Sequence, residues 1–583
     1  MPSRCPDPIR IAEAVPWLRT LPEISQAALV ASMEQFTLAG GEALFSEGDV
    51  PDAMYVVLSG CLGAYHGSDA HLLGQVVAGE TVGETALITG QPRAATVRAL
   101  RDCELARISR STFDQLAETD PGTLMRLTRV ALKRASAGQQ RQRTSAGPRT
   151  MAIMPQHPGA GARAFAEVLA RALSQYGQAV VVDQAEGEGK APHWFSELEG
   201  RARFVLYVAD ESLSPWRGLC LRQADAIVYV AVAGNEPAPW SEAIDSMRAP
   251  RCRPSHIALR HVNKPRFGAA RRWLKLLNYA RMHHIRDDFD ASRLVRLIIG
   301  KSMTLVLSGG GARGFAHLGV IKALREGGVV IDAVGGTSIG GIIGAGIAAD
   351  WDDEELTHNF KRAFVHTNPL SDYTFPFVSM VSGRKVSRLL REAFGAREIE
   401  DLPLPYFCVS ANLTTGQAAV HRSGPLWQWL RASVAIPGVL PPVFHNGQVY
   451  VDGGVIDNLP VTLMKEWQRG EVIASDIGLE DAVTAPIEEF DLPPVWRMVV
   501  QWYTGIRRPS VVSVLLRAGM VNSSAATLAA RSGATLLINP PLAEIDLLDW
   551  QQFDKAKEIG YQHTLRLLGN SAEAIAEQVP QVA

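Results

Sequence analysis

The sequence predicts a multidomain protein, with a small all-β unit first and two α/β units after it. Three observations carry this. From Phe36 to about residue 109, short apolar runs alternate with glycine turns. From 150 to 290, strand-like and helix-like runs alternate. Near 307–340, a glycine-rich segment and a G-x-S-x-G elbow each follow an apolar strand. At 583 residues the chain is also too long for one ordinary core.

Composition narrows the class. Hydrophobic residues make up 47% and charged residues 20%, with a formal net charge of -2. That is a soluble globular balance, and it gives no reason to expect a nucleic-acid partner. Basic residues do concentrate at Arg126, Arg129, Lys133, Arg134, Arg141, Arg143 and Arg149. A solvated helix end and linker is the plain reading, and contact with anionic headgroups the alternative. Six cysteines stand at 5, 61, 103, 220, 252 and 408, with no C-x-x-C pair and no ligand-like spacing to histidine. Reduced, buried thiols and no metal site are expected. The N-terminus has no apolar signal core, and no uncharged apolar span reaches membrane length. The expected location is cytoplasmic, with a peripheral position at the inner membrane face as an extension.

The elements follow in order. Residues 21–35 read as a short helix. Turns at Gly40-Gly41, Glu47-Gly48-Asp49, Ser59-Gly60, Gly79-Glu80 and Thr89-Gly90 divide the β-rich part. Ser111-Thr112-Phe113 opens a helical region, which closes a first domain over 15–135. The Gln-, Arg-, Ser- and Gly-rich stretch 136–149 is a linker. A central α/β domain over 150–295 has strands at 151–154, 179–182, 204–208 and 226–231 and a helix over 161–176. Its Gly159-Ala160-Gly161 turn is too short for a Walker A loop and has no lysine, so its role stays unassigned. The C-terminal domain covers 300–583, with its core at 303–465: strand 303–307, helix 315–326, strand 329–334, then the elbow and a small-residue helix.

The elbow is Gly336-Thr337-Ser338-Ile339-Gly340. Glycines two residues either side of Ser338 permit a sharp strand-to-helix turn that exposes the hydroxyl. Developing negative charge there is favoured by the following helix N-terminus. One strand–helix unit earlier, Ser308-Gly309-Gly310-Gly311-Ala312-Arg313-Gly314 can turn successive N–H groups toward one point. Arg313 adds a cation, to a substrate phosphate or to a carboxylate that supports the loop. Ser308 lacks the elbow geometry and reads as a loop hydrogen-bonder. Both motifs lie at the C-terminal ends of neighbouring strands, where open α/β sheets place ligands.

The nucleophile needs a base. His317, His358, His366, His421 and His445 have no local pattern that demands the role. Asp452 ends a strand, Gln448–Val451, and precedes Gly453-Gly454. A partly buried carboxylate there has raised proton affinity and can orient a hydroxyl on a neighbouring loop. The reading is a Ser338–Asp452 dyad.

These segments resemble the patatin-like phospholipases. Ser-Gly-Gly-Gly-Ala-Arg-Gly, Gly-Thr-Ser-Ile-Gly and Asp452-Gly453-Gly454 match that family's oxyanion loop, nucleophile elbow and base motif. The resemblance implies a three-layer α/β/α hydrolase domain. It makes Ser338 the nucleophile, Asp452 the base, and Gly309, Gly310, Gly311 and Arg313 the oxyanion hole. The likeness is closer to the neuropathy target esterase branch. Arg431-Ala432-Ser433, Leu440-Pro441-Pro442, the run 451–460, Ser214-Pro215-Trp216 and Arg222-Gln223-Ala224-Asp225 look like that branch. The implied reaction is hydrolysis of a lysophospholipid acyl ester through an acyl-enzyme, with no catalytic cofactor. The alternatives are a broader phospholipase A on diacyl lipids, and a nucleotide-binding scaffold with a vestigial site. Phe375, Pro376, Phe377, Met380, Trp496 and Trp502 are candidates for an acyl channel or interfacial lid, weighed equally against plain packing. The aromatic and basic stretch 490–520 is a candidate membrane face.

Upstream, Val82-Gly83-Glu84-Thr85-Ala86-Leu87 and Pro92-Arg93-Ala94-Ala95-Thr96 resemble the phosphate-binding cassette of β-roll cyclic-nucleotide domains. The resemblance puts Gly83, Glu84 and Ala86 around phosphate and ribose, Arg93 on the phosphate, and Thr96 near the base. Ala94, in place of threonine, leans toward cyclic AMP over cyclic GMP, so cyclic AMP is the expected allosteric ligand. The expected partners are a lysophospholipid or phospholipid and a cyclic nucleotide, with peripheral membrane contact and a homodimer left open.

Overall fold

Side chains alternate between two faces in nearly every strand, and this alternation builds the molecule. The computed structural model describes residues 11, 15, 18, 23–67, 71–119, 122, 125, 147–238, 253–262, 268–375, 377–468, 470–478, 493–494, 496–497 and 527–576. The chain divides into two units. The first holds Met1–Val262, Leu276–Arg281 and Asp287–Ile299; the second holds Asn263–Lys275, Met282–Arg286 and Gly300–Ala583.

The first unit begins with two four-stranded antiparallel sheets. One orders its strands Glu34–Leu38, Cys103–Ser109, Ala53–Ser59, Thr81–Val82, and the other Ala43–Phe45, Thr96–Ala99, Cys61–His66, His71–Val77. Strand Ala53–Ser59 sends Met54 and Val56 into one apolar cluster and Tyr55 and Val57 into another. The helix read over 21–35 is shorter, Glu23–Ala31, because Glu34–Leu38 pairs with Cys103–Ser109. The helix after the sheets is Arg110–Thr119. The rest of the predicted helix, apart from residues 122 and 125, and the linker up to 146 lie outside the described residues, as do the basic positions 126–143.

In the central domain, five strands of the sheet run parallel in the order Ala179–Val182, Phe204–Val208, Thr150–Pro155, Ala226–Val232, Ser255–Arg260. The last of these is an addition to the sequence reading. Its Ser-His-Ile-Ala-Leu-Arg pattern is too polar to stand out, yet five of its six residues are buried. The Gly159 N–H donates to Glu211 Oε1 at 2.9 Å, so a protein carboxylate sits on that turn.

The second unit is built on a mixed sheet ordered Val443–His445, Gln448–Asp452, Tyr406–Asn412, Ala333–Thr337, Ser302–Leu307, Gly470–Ser475, Leu536–Ile538, with Gln417–His421 paired to Tyr406–Asn412. The strands from Tyr406–Asn412 to Leu536–Ile538 are parallel. Leu305 and Leu307 pack in one cluster and Val306 in another; Cys408 and Phe407 divide the same way. Both faces are therefore covered, as parallel sheets require. The strand read over 329–334 instead spans Ala333–Thr337 and runs directly into the elbow.

Two helical glycines let helix Ala316–Glu326 approach helix Phe553–Ala576. A Cβ on Gly319 would lie 1.9 Å from the Lys557 carbonyl oxygen, and one on Gly560 2.1 Å from that of Ala316. Both obstacles are backbone. Gly569, on the same C-terminal helix, has open space instead. Gly319→Ala should therefore destabilise this unit by roughly 1–3 kcal/mol, while Gly569→Ala should stabilise it by up to about 1 kcal/mol. Denaturant unfolding of the two variants checks the contrast, and equal effects would refute the close-contact reading.

Candidate active site

Ser338 sits between strand Ala333–Thr337 and helix Ile339–Ala348. Its backbone is at φ 55, ψ -127, a region that non-glycine residues rarely occupy. A Cβ on Gly336 would meet the Gly340 carbonyl at 2.6 Å, and one on Gly340 the Leu307 and Ser308 carbonyl oxygens at 2.5 Å. The elbow closes only because both positions lack side chains. The Ser338 N–H donates to Ser433 Oγ at 2.9 Å, and that hydroxyl donates to the Val409 carbonyl at 2.7 Å. Ser433 thus fastens the strained residue to the neighbouring strand.

The Ser338 hydroxyl donates to Asp452 Oδ2 at 2.6 Å, and the Gly454 N–H donates to Oδ1 at 2.8 Å. Asp452 is the last residue of its strand, and its own N–H is held by the Ala435 carbonyl at 2.9 Å. Burial pushes its carboxyl up to about 6, against the downward pull of the Ser338 and Gly454 bonds. No histidine among the described residues bonds to either side chain. His317 is buried elsewhere, between Ser475 Oγ at 2.8 Å and the Ser308 carbonyl at 3.0 Å, and burial lowers it to about 4. His421 bonds to Ser410 Oγ at 2.7 Å.

The glycine loop follows strand Ser302–Leu307, whose Leu307 is in register with Gly336. Asn458 holds it: Oδ1 accepts from the Gly309 N–H at 3.2 Å, and Nδ2 donates to the Gly309 carbonyl at 3.3 Å. This revises the place of Gly309 in the anion site, since its N–H is already engaged. Arg313 also differs from expectation. It is buried, and its Nε donates to the Ile545 carbonyl at 2.7 Å, a bond within the fold in addition to the substrate phosphate or supporting carboxylate expected from sequence. The Arg313 N–H turns back to the Gly310 carbonyl and the Ala312 N–H to that of Leu547. The N–H groups of Gly310 and Gly311 make no such bond among the described residues, and Gly311 borders the pocket described next. Ser308 is a loop hydrogen-bonder, accepting from the Ile477 N–H at 2.8 Å.

An apolar pocket with about 800 Å³ of space, its open mouth included, has Ser338 on its wall. Its sides come from Ile342, Phe360, Phe364, Leu389, Leu390 and Ile436, among others. Of the six residues weighed from sequence for an acyl channel or interfacial lid, the four that are described do not line it. Phe375, Phe377 and Trp496 are exposed, Met380 packs on the core, and Pro376 and Trp502 lie outside the described residues, as does most of 490–520. A signal was present all the same. Val386, Leu389, Leu390, Ala393 and Phe394 recur at helical spacing in Arg384–Phe394, and that stripe faces the pocket.

In the first unit, Gly83 caps the short helix Glu84–Thr89 at φ 84, with Glu84 and Ala86 buried. Arg93 is buried over the Phe45 ring. It donates to the Gly83 carbonyl at 3.0 Å and the Ala53 carbonyl at 2.6 Å, and pairs with Asp52 at 3.3 Å. The cassette ends are thereby joined. Ala94 is exposed, and Thr96 Oγ1 accepts from the Glu47 N–H at 3.0 Å.

A strained serine, a buried carboxylate and a glycine loop on a parallel sheet define a class, and comparison with known proteins agrees with it. Residues 305–465 match the patatin-like phospholipase family, residues 35–120 the cyclic nucleotide-binding domain, and residues 148–296 the Neuropathy Target Esterase family P-loop like domain. The chain is 30% identical to a lysophospholipase NTE1 of Coccidioides immitis, over 91% of this chain and 40% of that protein. It is 29% identical to patatin-like phospholipase domain-containing protein 6 of Mus musculus, over 91% of this chain and 44% of that one. The chain thus spans under half the length of these curated relatives. Residues 305–465 therefore form a patatin-like domain and residues 35–120 a domain of the cyclic nucleotide-binding kind, in a chain homologous to NTE1-type lysophospholipases.

Two stability effects follow from the geometry. Ser338→Gly should be more stable than Ser338→Ala by roughly 1 kcal/mol, since both lose the bond to Asp452 and only glycine is free of the backbone strain. Asp452 has its folded pKa above its ordinary value of 3.8. Its neutral form is therefore the one the fold favours, and its contribution is lost as pH rises through about 6. Asp452→Asn, neutral throughout, should be more stable than the parent at pH well above 6 and lose that advantage in acid. Unfolding curves across pH test this, and an advantage that grew in acid would contradict it.

Proposed function

We propose that the C-terminal domain is a serine lipid acyl hydrolase acting on the single fatty-acyl ester of lysophospholipids. The observation that carries the reading is the 2.6 Å contact between Ser338 and a buried Asp452 on the wall of an apolar pocket. Asp452 removes the hydroxyl proton as Ser338 Oγ attacks the ester carbonyl carbon. The oxyanion is met by the N–H groups of Gly310 and Gly311 at the pocket end of the loop. As the ester C–O bond breaks, Asp452 returns the proton to the departing glycerophospho-alcohol. Water, deprotonated by the same carboxylate, then attacks the acyl-serine and releases the fatty acid. The pocket takes the acyl chain. A carboxyl raised to about 6 is suited to both duties near neutral pH. Burial of both sheet faces supports reading this domain as a three-layer α/β/α sandwich, and the paired antiparallel sheets upstream support a β-roll.

The upstream domain is read as a cyclic AMP sensor that modulates this reaction. The meeting of Gly83 and Arg93 supports it, with Glu84 and Ala86 on the same turn and Ala94 and Thr96 on the strand side. On this reading the protein is cytoplasmic, with a peripheral position at the inner membrane face as an extension.

Fatty-acid release from lysophosphatidylcholine, with Ser338→Ala as the blank, tests the reading. Release should vanish in Ser338→Ala and fall at least a hundredfold in Asp452→Asn. In the parent, kcat/KM should drop about tenfold per pH unit below 6, as the base protonates. Release from diacyl lipid alone would move the assignment to a phospholipase A. No release from either would leave the scaffold reading. A change in rate on adding cyclic AMP, absent in Glu84→Gln, would support the sensor; an unchanged rate would reject it.

A further inference from the structure

The second unit carries an apolar outcrop that the chemistry above does not use. Tyr373 is 80% exposed, Phe375 73%, Phe377 87% and Val378 62%. The Phe375 and Phe377 rings touch each other, with centroids 4.8 Å apart. Four such residues within six positions far exceed the scattered apolar exposure of an ordinary surface.

The base of this loop is firmly built. Tyr373 bridges to Val381, and the Thr374 N–H donates to the Met380 carbonyl at 3.0 Å. The Met380 and Val381 N–H groups donate to the carbonyls of Gly438 and Val439, each at 3.0 Å. Ser382 Oγ and the Lys385 N–H both bond Asp372 Oδ2, at 2.6 and 3.0 Å. Nearby, the buried Arg431 donates to the Pro441 carbonyl at 3.0 Å. The rings are therefore held out on a braced loop.

That bracing also fixes where the rings stand. Gly438 and Val439 lie between Ile436 and Leu440, which both line the pocket of Ser338. The pocket's remaining wall includes Phe364, Leu370, Val386 and Leu390, from either side of the loop in sequence. One excursion of chain thus makes both the pocket wall and the outcrop.

Charge favours one partner. Between 361 and 394 there are six lysines or arginines and two acidic residues, in a chain whose net charge is -2. Arg384, immediately after the loop, is exposed. Lys361 is paired with Asp554 and Arg388 with Glu392, but exposed aromatic side chains followed directly by the exposed Arg384 match a bilayer interface that contains anionic phospholipid.

We propose that Tyr373–Val378, with the basic positions around it, docks the protein on an anionic phospholipid surface and sets the mouth of the Ser338 pocket against the bilayer. Phe375 and Phe377 enter the acyl boundary while the cations meet the phosphates. A single-chain lipid then passes from the leaflet to the pocket without crossing bulk water. This rests on the lipid hydrolase reading above.

The test separates the two claims. Binding to phosphatidylcholine vesicles containing phosphatidylglycerol is measured by sedimentation with the full chain carrying Ser338→Ala, so that nothing is consumed. Adding Phe375→Ser and Phe377→Ser should weaken partitioning by about tenfold or more, given the apolar area withdrawn from the interface. Raising salt, or omitting phosphatidylglycerol, should weaken the binding of the Ser338→Ala chain by several-fold. In a chain with Ser338 intact, the same two serines should leave hydrolysis of a water-soluble short-chain ester unchanged. Absence of soluble-ester hydrolysis, and of lysophospholipid hydrolysis, in the unaltered chain would sink the hydrolase reading itself. Retained soluble-ester hydrolysis with unaltered vesicle binding would overturn the docking proposal. So would conversion of a dimer to a monomer without change in vesicle binding, which would give the outcrop to a second copy of the chain.

Discussion

The candidate active site depends on one buried carboxylate that, among the described residues, has no cation beside it. The hydrogen-bond partners of Asp452 are a hydroxyl and a backbone N–H, Ser338 and Gly454. A carboxylate removed from water with so little compensation holds its proton more tightly and demands exact partners for each oxygen. Much of the surrounding construction serves that demand. Gly454 must turn to present its N–H. Ser338 must occupy a strained backbone conformation to reach Oδ2. Ser433 must hold the Ser338 amide so that the strain persists.

Close approach is the second constraint, and missing side chains meet it. A Cβ on Gly309 would fall 2.7 Å from Asn458 Oδ1 and 3.0 Å from the Ser338 Cβ. One on Gly453 would meet the Val409 carbonyl oxygen at 2.3 Å. Ser338, the glycine loop and Asp452 come from three separate strand ends, and they fit together only with backbone against backbone. The same logic joins helices Ala316–Glu326 and Phe553–Ala576 through Gly319 and Gly560. That contact stiffens the helix that follows the loop.

The first unit is organised by buried arginines. Arg93 ties the turn at Gly83 to strand Ala53–Ser59. Strand Thr96–Ala99 leads from there to Leu100–Asp102. Arg101 pairs there with Glu199 and Asp225 of the central domain, and Arg222 returns a two-pronged bond to Asp102 at 2.8 and 3.2 Å. A few residues of strand therefore connect the cassette to a charged, largely buried contact, in which removing one partner would strand the other.

The elbow, the glycine loop, Asp452 and the β-rich character of 36–109 were legible because each is a local pattern: glycines at set offsets, a carboxylate at a strand end, turns between apolar runs. Local patterns survive in one dimension since backbone sterics act between near neighbours in sequence. What the sequence alone left open was set by distant partners. Asn458 engages the Gly309 N–H from 149 positions away, and the Ile545 carbonyl takes Arg313 from 232 positions away. The pocket wall came from an amphipathic helix, Arg384–Phe394, and the conspicuous aromatics at 375 and 377 stand outside on the surface. Periodicity announces that a stripe is apolar; only packing decides whether it lines a core, a cavity or an exposed face. The sequence by itself pointed to one serine and one carboxylate, because each sits in a local glycine pattern. The tertiary structure alone decided which N–H groups of the loop remain unbonded and where an apolar pocket opens beside Ser338, because both depend on what the rest of the fold has already occupied.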